Sequence, residues 1–173
     1  MPAAATGRRA TIPLLRPPGA VEESKFLAGC TRCDDCLGAC PDDSIVHAPP
    51  RFREAAGTPM IDPARQPCWM CDDMPCVAAC EPDVLTLANA WSTATMGTAR
   101  IDEQTCLAYQ GSFCSVCVER CPVADAIEVD AGKPRVVDAS CTGCGVCQHV
   151  CPAPMNAVMI LPSLNRPAPG GPA

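Results

Sequence analysis

The chain has 173 residues, a formal net charge of −6 and sixteen Cys, but only three Phe, two Trp and one Tyr. So few large aromatics supply little of the apolar burial that a core of this size needs, and twenty Pro with twelve Gly raise the loop content. A chain built this way calls for cross-links or metals. Only two of the thirteen basic residues are Lys and no basic run occurs, which argues against a nucleic-acid partner.

In chain order, residues 1–20, MPAAATGRRATIPLLRPPGA, are expected to be a flexible N-terminal segment. Arg8-Arg9 is a twin-arginine pair such as opens some export signals. The apolar stretch that should follow is missing, and IPLL is too short to target or to span. The chain as it stands therefore reads as cytoplasmic, with no direct membrane span; a periplasmic location after removal of a signal is the alternative. VEESKFLAG, residues 21–29, predicts a short helix.

Four cysteine repeats then follow. The first is Cys30, Cys33, Cys36 and Cys40, spaced C-x2-C-x2-C-x3-C and followed by Pro41. The second is Cys68, Cys71, Cys76 and Cys80, spaced C-x2-C-x4-C-x3-C and followed by Glu81-Pro82. The third is Cys106, Cys114, Cys117 and Cys121, spaced C-x7-C-x2-C-x3-C, then Pro122. The fourth, Cys141, Cys144, Cys147 and Cys151 with Pro152, repeats the first spacing, and no Cys is left over.

The linkers also resemble one another. After each fourth Cys comes a β-leaning run: SIVHA, VLTLA, AIEVD and NAVMIL. TPMID, GTARID and PRVVD precede the next repeats. Alternation and β-branching predict short strands, and AGK between AIEVD and PRVVD predicts a tight hairpin. CVAAC and GVCQHVC read as the starts of short helices. The expected class is α+β and loop-rich, with a body over 21–162 and a flexible tail over 163–173.

Three chemistries compete for the thiols. Disulfides need an oxidising compartment, and Cys144 and Cys147 could close only a strained loop. Zinc usually takes two CxxC pairs far apart. Three Cys in C-x2-C-x2-C instead let one loop wrap three corners of a [4Fe–4S] cube, while the fourth serves a neighbouring cluster. The following Pro offers no N–H and prevents fold-back. Sixteen thiolates then imply four [4Fe–4S] clusters. These add about −8 to the net charge of −6, so partner faces should be basic. Asp34-Asp35 and Asp72-Asp73 lie inside two loops. They either face their clusters and lower the potentials, or are solvated.

LRPPGAVEESKFLAGCTRCDDCLGACP, GTPMIDPARQPCWMCDDMPCVAAC, MGTARIDEQTCLAYQGSFCSVCVERCP and CTGCGVCQHVCPAPMNAVMILP carry a resemblance covering about residues 15–162. The chain resembles the ferredoxin-type proteins encoded with periplasmic nitrate reductase and their relative in methylamine utilisation. The long C-x7-C spacing with LAYQG inside is the most particular feature, and Glu81 after Cys80 is a small departure. The resemblance implies bacterial-ferredoxin-like two-cluster modules holding four clusters in all. It implies redox-protein partners: a membrane quinol-oxidising protein or a ferredoxin-like donor on one side, a periplasmic-type terminal reductase or dehydrogenase on the other. An accessory role in maturing a partner oxidoreductase is the alternative.

By resemblance, the two modules are tandem or nested. The short hairpin between repeats three and four is similar to that of a simple two-cluster ferredoxin, which pairs one with two and three with four. Repeat two is similar to the second loop of four-cluster electron-transfer subunits, where the pairing is nested, and the nested order is preferred. It puts VLTLA and GTARID in one inner hairpin. It groups Cys30, Cys33, Cys36 with Cys151; Cys141, Cys144, Cys147 with Cys40; Cys68, Cys71, Cys76 with Cys121; and Cys106, Cys114, Cys117 with Cys80.

No catalytic set stands out, so the chain is not expected to be an enzyme. Every Cys is claimed, leaving no free nucleophile. His149 between Cys147 and Cys151 should cover a cluster or face solvent, and His47 should lie at the surface. Tyr109, Phe113 and Trp69 sit beside ligands, where they are expected to give apolar cover.

Overall fold

One wide hairpin, one tight hairpin and two end-to-end pairings organise the described residues, seen here in a computed structural model that describes residues 14–86 and 94–163. The Arg8-Arg9 pair, the last two residues of VLTLA and the tail from residue 164 lie outside the described residues.

Leaving the first repeat, SIV enters β1 (Ile45–His47), which pairs antiparallel with β2 (Pro59–Ile61), Ile45 opposite Ile61. The ends of this first module then meet each other. Val21 N–H donates to Val84 O at 3.0 Å and Thr86 N–H to Gly19 O at 2.9 Å, around an antiparallel bridge of Ala20 and Leu85. A Cβ on Gly19 would stand 2.7 Å from Thr86 O, and its φ is +77°, so only glycine fits this close approach.

The second module repeats the plan. β3 (Gly97–Ile101) pairs antiparallel with β6 (Val158–Pro162), Gly97 opposite Pro162, and so closes its ends. Between them β4 (Ile127–Asp130) and β5 (Lys133–Val136) form the inner hairpin. Its turn residues Ala131 and Gly132 both have positive φ, 48° and 79°, as a two-residue type I′ turn requires.

The arrangement corrects the nested expectation. The VLTLA–GTARID hairpin does not form: Leu85 bridges back to Ala20, while GTARI pairs with the last strand. The described strand pairings run within residues 14–86 and within residues 94–163. The flexible N-terminal segment expected to reach residue 20 also stops earlier, because Leu14 to Ala20 are buried. Arg16 explains why. Its guanidinium is 0 % exposed, bonds Glu23 at 2.5 and 3.1 Å, Thr58 Oγ1 and Pro59 O at 2.7 Å, and stacks 4.5 Å over Phe26. Such a planar fork satisfies a buried charge and holds the segment down.

Besides a 3-10 helix over Pro50–Ala55, the described residues form five α-helices: α1 (Glu23–Gly29), α2 (Asp35–Gly38), α3 (Pro75–Ala78), α4 (Val116–Glu119) and α5 (Val146–His149). The last four are single turns, too short to form alone. Each carries the third Cys of its repeat as its second residue. α2 packs on α3 and α4 on α5. Asp34, Met74 and Gly145, at φ 69°, 42° and 90°, turn the loop into three of them. The main core runs through both modules: Phe26, Ile61, Leu85, Met96 and Val146 lie in it together with buried cysteines. Among the described residues no helix is long and apolar enough to cross a membrane.

Candidate metal centres

All sixteen cysteines are free thiols, and the two helix pairs sort them into four groups. In the first module the loop before α2 turns Cys30, Cys33 and Cys36 around a hollow that Cys80, just past α3, also lines; this is site 1. The loop before α3 turns Cys68, Cys71 and Cys76 around a second hollow, closed by Cys40 from just past α2; this is site 2. In the second module Cys106, Cys114 and Cys117 share a hollow with Cys151, forming site 3. Cys141, Cys144 and Cys147 neighbour Cys121, forming site 4. The exchange of fourth cysteines follows from the packing: each four-residue helix points its trailing Cys at the partner helix's loop.

The nested grouping is therefore replaced by pairing of repeat one with two and of three with four. Cys151 joins Cys106, Cys114 and Cys117 rather than Cys30, and Cys80 joins Cys30, Cys33 and Cys36 rather than Cys106. The physical reason is the short reach of α2·α3 and α4·α5, each joined by its own inner hairpin.

The hollows at sites 1, 2 and 3 are closely similar in size. Near-equal size suits one common occupant. At each of these sites four thiols line one hollow, the donor set that a group with four thiolate corners takes.

Burial sets the acidity of these groups. It pushes the Cys36 and Cys68 thiols up to about 12, with neighbouring thiols adding to the effect. It pushes Cys76, Cys117 and Cys144 up to about 11, and Cys147 upward as well. Without metal these thiols hold their protons at neutral pH, so loading must release them. Backbone amides already face some sulfurs: Ser44 N–H lies 3.4 Å from Cys40 Sγ and Ala99 N–H 3.4 Å from Cys141 Sγ. Such donors help to carry charge placed on the sulfur. They escaped the sequence because neither Ser44 nor Ala99 belongs to a repeat; their roles come from the start of β1, just after Ser44, and from β3, which carries Ala99.

The aromatic cover is uneven. Tyr109 is half-buried, donates to Pro134 O at 3.2 Å and lies under the Lys133 ammonium, 5.1 Å from its ring centre. Phe113 does not cover a site as expected: it is 98 % exposed, because the Gly111-Ser112 turn carries it outward. Trp69 lines site 2 at 39 % exposure and meets the edge of His149. His47 is at the surface, bonded to Asp34 Oδ1 at 2.7 Å. All four loop aspartates, Asp34, Asp35, Asp72 and Asp73, are exposed.

Comparison with known proteins matches residues 98–152 to the 4Fe-4S dicluster domain. The methylamine utilization ferredoxin-type protein MauM of Paracoccus denitrificans (strain Pd 1222) is 40% identical over 163 residues, 86% of this chain and 71% of the relative. The ferredoxin-type protein NapG of Escherichia coli (strain K12) is 38% identical over 168 residues, 89% of this chain and 73% of that protein. The ferredoxin-type protein NapF of the same strain is 33% identical over 145 residues, 80% of each chain.

Proposed function

This chain belongs to the MauM and NapG family of ferredoxin-type iron–sulfur electron-transfer proteins, and from that premise we propose that its sixteen cysteines hold four [4Fe–4S] clusters between two redox partners. The observation that carries the count is the sorting of all sixteen thiols into four groups. Each group takes three cysteines from one repeat and one from the partner repeat.

Bound clusters of this kind supply reversible one-electron storage. The protein's own part is to bind, space and shield. Cys36, Cys68, Cys76, Cys117, Cys144 and Cys147 are buried, so these thiolates are shielded from water. The Ser44 and Ala99 amides stabilise negative charge at Cys40 and Cys141. A donor protein loses one electron and an acceptor gains one; no bond on the chain forms or breaks. By family, the donor side is a quinol-oxidising membrane protein and the acceptor side a reductase or dehydrogenase. The chain needs no substrate site of its own. With a net charge of −6 before any cluster is added, its docking partners present basic faces.

Anaerobic purification followed by iron, acid-labile sulfide and zinc analysis tests this. About sixteen iron and sixteen sulfide per chain, with EPR signals after dithionite, is the expected result. About four zinc with no sulfide overturns it. Incubation with a metal-free partner enzyme then separates relay from supply: a relay keeps its iron, and loss of iron to the partner establishes the accessory role instead.

A further inference from the structure

We infer that Cys68 and Cys144 form the junction between the two modules, so that the four cysteine sites lie in one row in the order 1, 2, 4, 3. The inference rests on the reading that each site holds a cluster, and it adds an order that neither the repeats nor the relatives state.

Three sets of neighbours fix the row. Within the first module Cys36 of site 1 has Cys76 of site 2 among its neighbours. Within the second, Cys147 of site 4 has Cys117 of site 3 among its neighbours. Between modules, Cys68 N–H donates to Cys144 O at 2.9 Å, joining a site 2 loop directly to a site 4 loop.

The surroundings keep this junction tight and dry. Thr142 Oγ1 lies 3.9 Å from Met70 Sδ, both buried. Gly145 packs on Pro63: a Cβ there would stand 2.7 Å from the proline ring, and its φ of +90° already restricts the position to glycine. Trp69 and His149 close the rim edge to face, with ring centres 6.4 Å apart. Among the described residues, the hollows of sites 1 and 3 are each lined from one module alone. Site 1 instead carries Cys33, the most exposed class of thiol among the sixteen. The row therefore has a wet end at Cys33, a second end at site 3 and a buried middle.

Two quadruple variants test the order. Cys30→Ala/Cys33→Ala together with Cys106→Ala/Cys114→Ala removes sites 1 and 3 and leaves the inner pair. Cys68→Ala/Cys71→Ala together with Cys141→Ala/Cys144→Ala removes sites 2 and 4 and leaves the outer pair. Each is expected to lose half of the wild-type iron. After full reduction the inner pair should give split, fast-relaxing EPR signals from magnetic coupling, and the outer pair two simple independent ones. Coupling in the outer pair, or none in the inner pair, overturns the row. Wild-type protein lacking sixteen iron overturns the four-cluster reading itself, a separate failure. If either variant does not retain half of its iron, the iron anomalous map of the wild-type holoprotein decides. Sites 2 and 4 must then be the closest pair between modules, and any other closest pair overturns the order.

Discussion

The two modules share one plan and close it by different means. The second joins its ends through a ladder of five residue pairs, Gly97 to Ile101 against Val158 to Pro162. The first, among the described residues, has the single Ala20–Leu85 bridge, and adds the buried Arg16 clamp to Glu23, Thr58 and Pro59. They also differ in charge. Residues 14–86 carry twelve carboxylates and six basic side chains, whereas residues 94–163 carry seven and four. Two Asp pairs lie within the first module's cysteine loops, where the second has a single carboxylate, Glu119. Exposed large apolar residues lean the other way: Phe113, Val129, Met155, Met159 and Leu161 all belong to the second module. The same cysteine scaffold thus tolerates either a polar clamp or a strand ladder as its closure, because the metal sites supply the rest of the cohesion.

The largest test of that statement removes the metal. Chelation of iron from the holoprotein should abolish cooperative thermal unfolding in both modules, since buried thiols make up much of the core and single-turn helices cannot persist without it. Circular dichroism during iron removal reads this directly. A retained, cooperative melt would mean that the apolar core suffices.

The two closures can then be broken one at a time. Arg16→Met removes the buried guanidinium with its bonds to Glu23, Thr58 and Pro59 and should cost the first module about 3 kcal/mol, seen as an earlier denaturant midpoint for loss of half of the cluster absorbance. In the second module, Gly97→Val would put a Cβ 2.5 Å from Leu161 O. It should bring forward loss of the other half. Equal loss of both halves in either variant would show that the modules unfold as one.

Charge gives a finer contrast. Asp72→Asn/Asp73→Asn removes two exposed carboxylates from the site 2 loop. It should raise the reduction potential of centres in the first module and leave those in the second unchanged, by potentiometric EPR. The smallest effect is expected at the surface pair Arg100–Asp138, at 2.6 Å. The Arg100 guanidinium holds the Asp138 carboxyl below its ordinary range. The stability it lends is present above the ordinary carboxylate pKa and is lost as pH falls through the lower folded value. Asp138→Asn should therefore leave the neutral-pH melting temperature unchanged within error and flatten only its acid limb.

Much of this was legible in the sequence for a physical reason. Cysteine spacing is local, so each loop, and the helix turn carrying its third Cys, follows from a dozen neighbouring residues. Ile45–His47, Ile127–Asp130 and Lys133–Val136 likewise alternate or branch as strands must. Strand partnership is not local. Val84-Leu85 and Gly97–Ile101 look equally able to pair with each other, and what separates them is where Ala20 and Val158 arrive in space. That misassigned hairpin carried the nested cysteine groups with it. The packed stretch from Leu14 was missed because its Pro-rich composition hides Arg16, whose partners lie as far away as Thr58 and Pro59. Phe113 was misjudged because a glycine turn, rather than hydrophobicity, decides its direction.

The meeting of each module's two ends has a consequence for how such a chain can change. Gly19 lies beside Thr86, and Gly97 beside Pro162, so each unit leaves the chain close to the point where it began. A unit of that shape can be inserted, duplicated or circularly permuted without stretching its neighbours. New storage capacity then comes by adding beads to a string, and the only surface that must be redesigned is the small face where one bead touches the next.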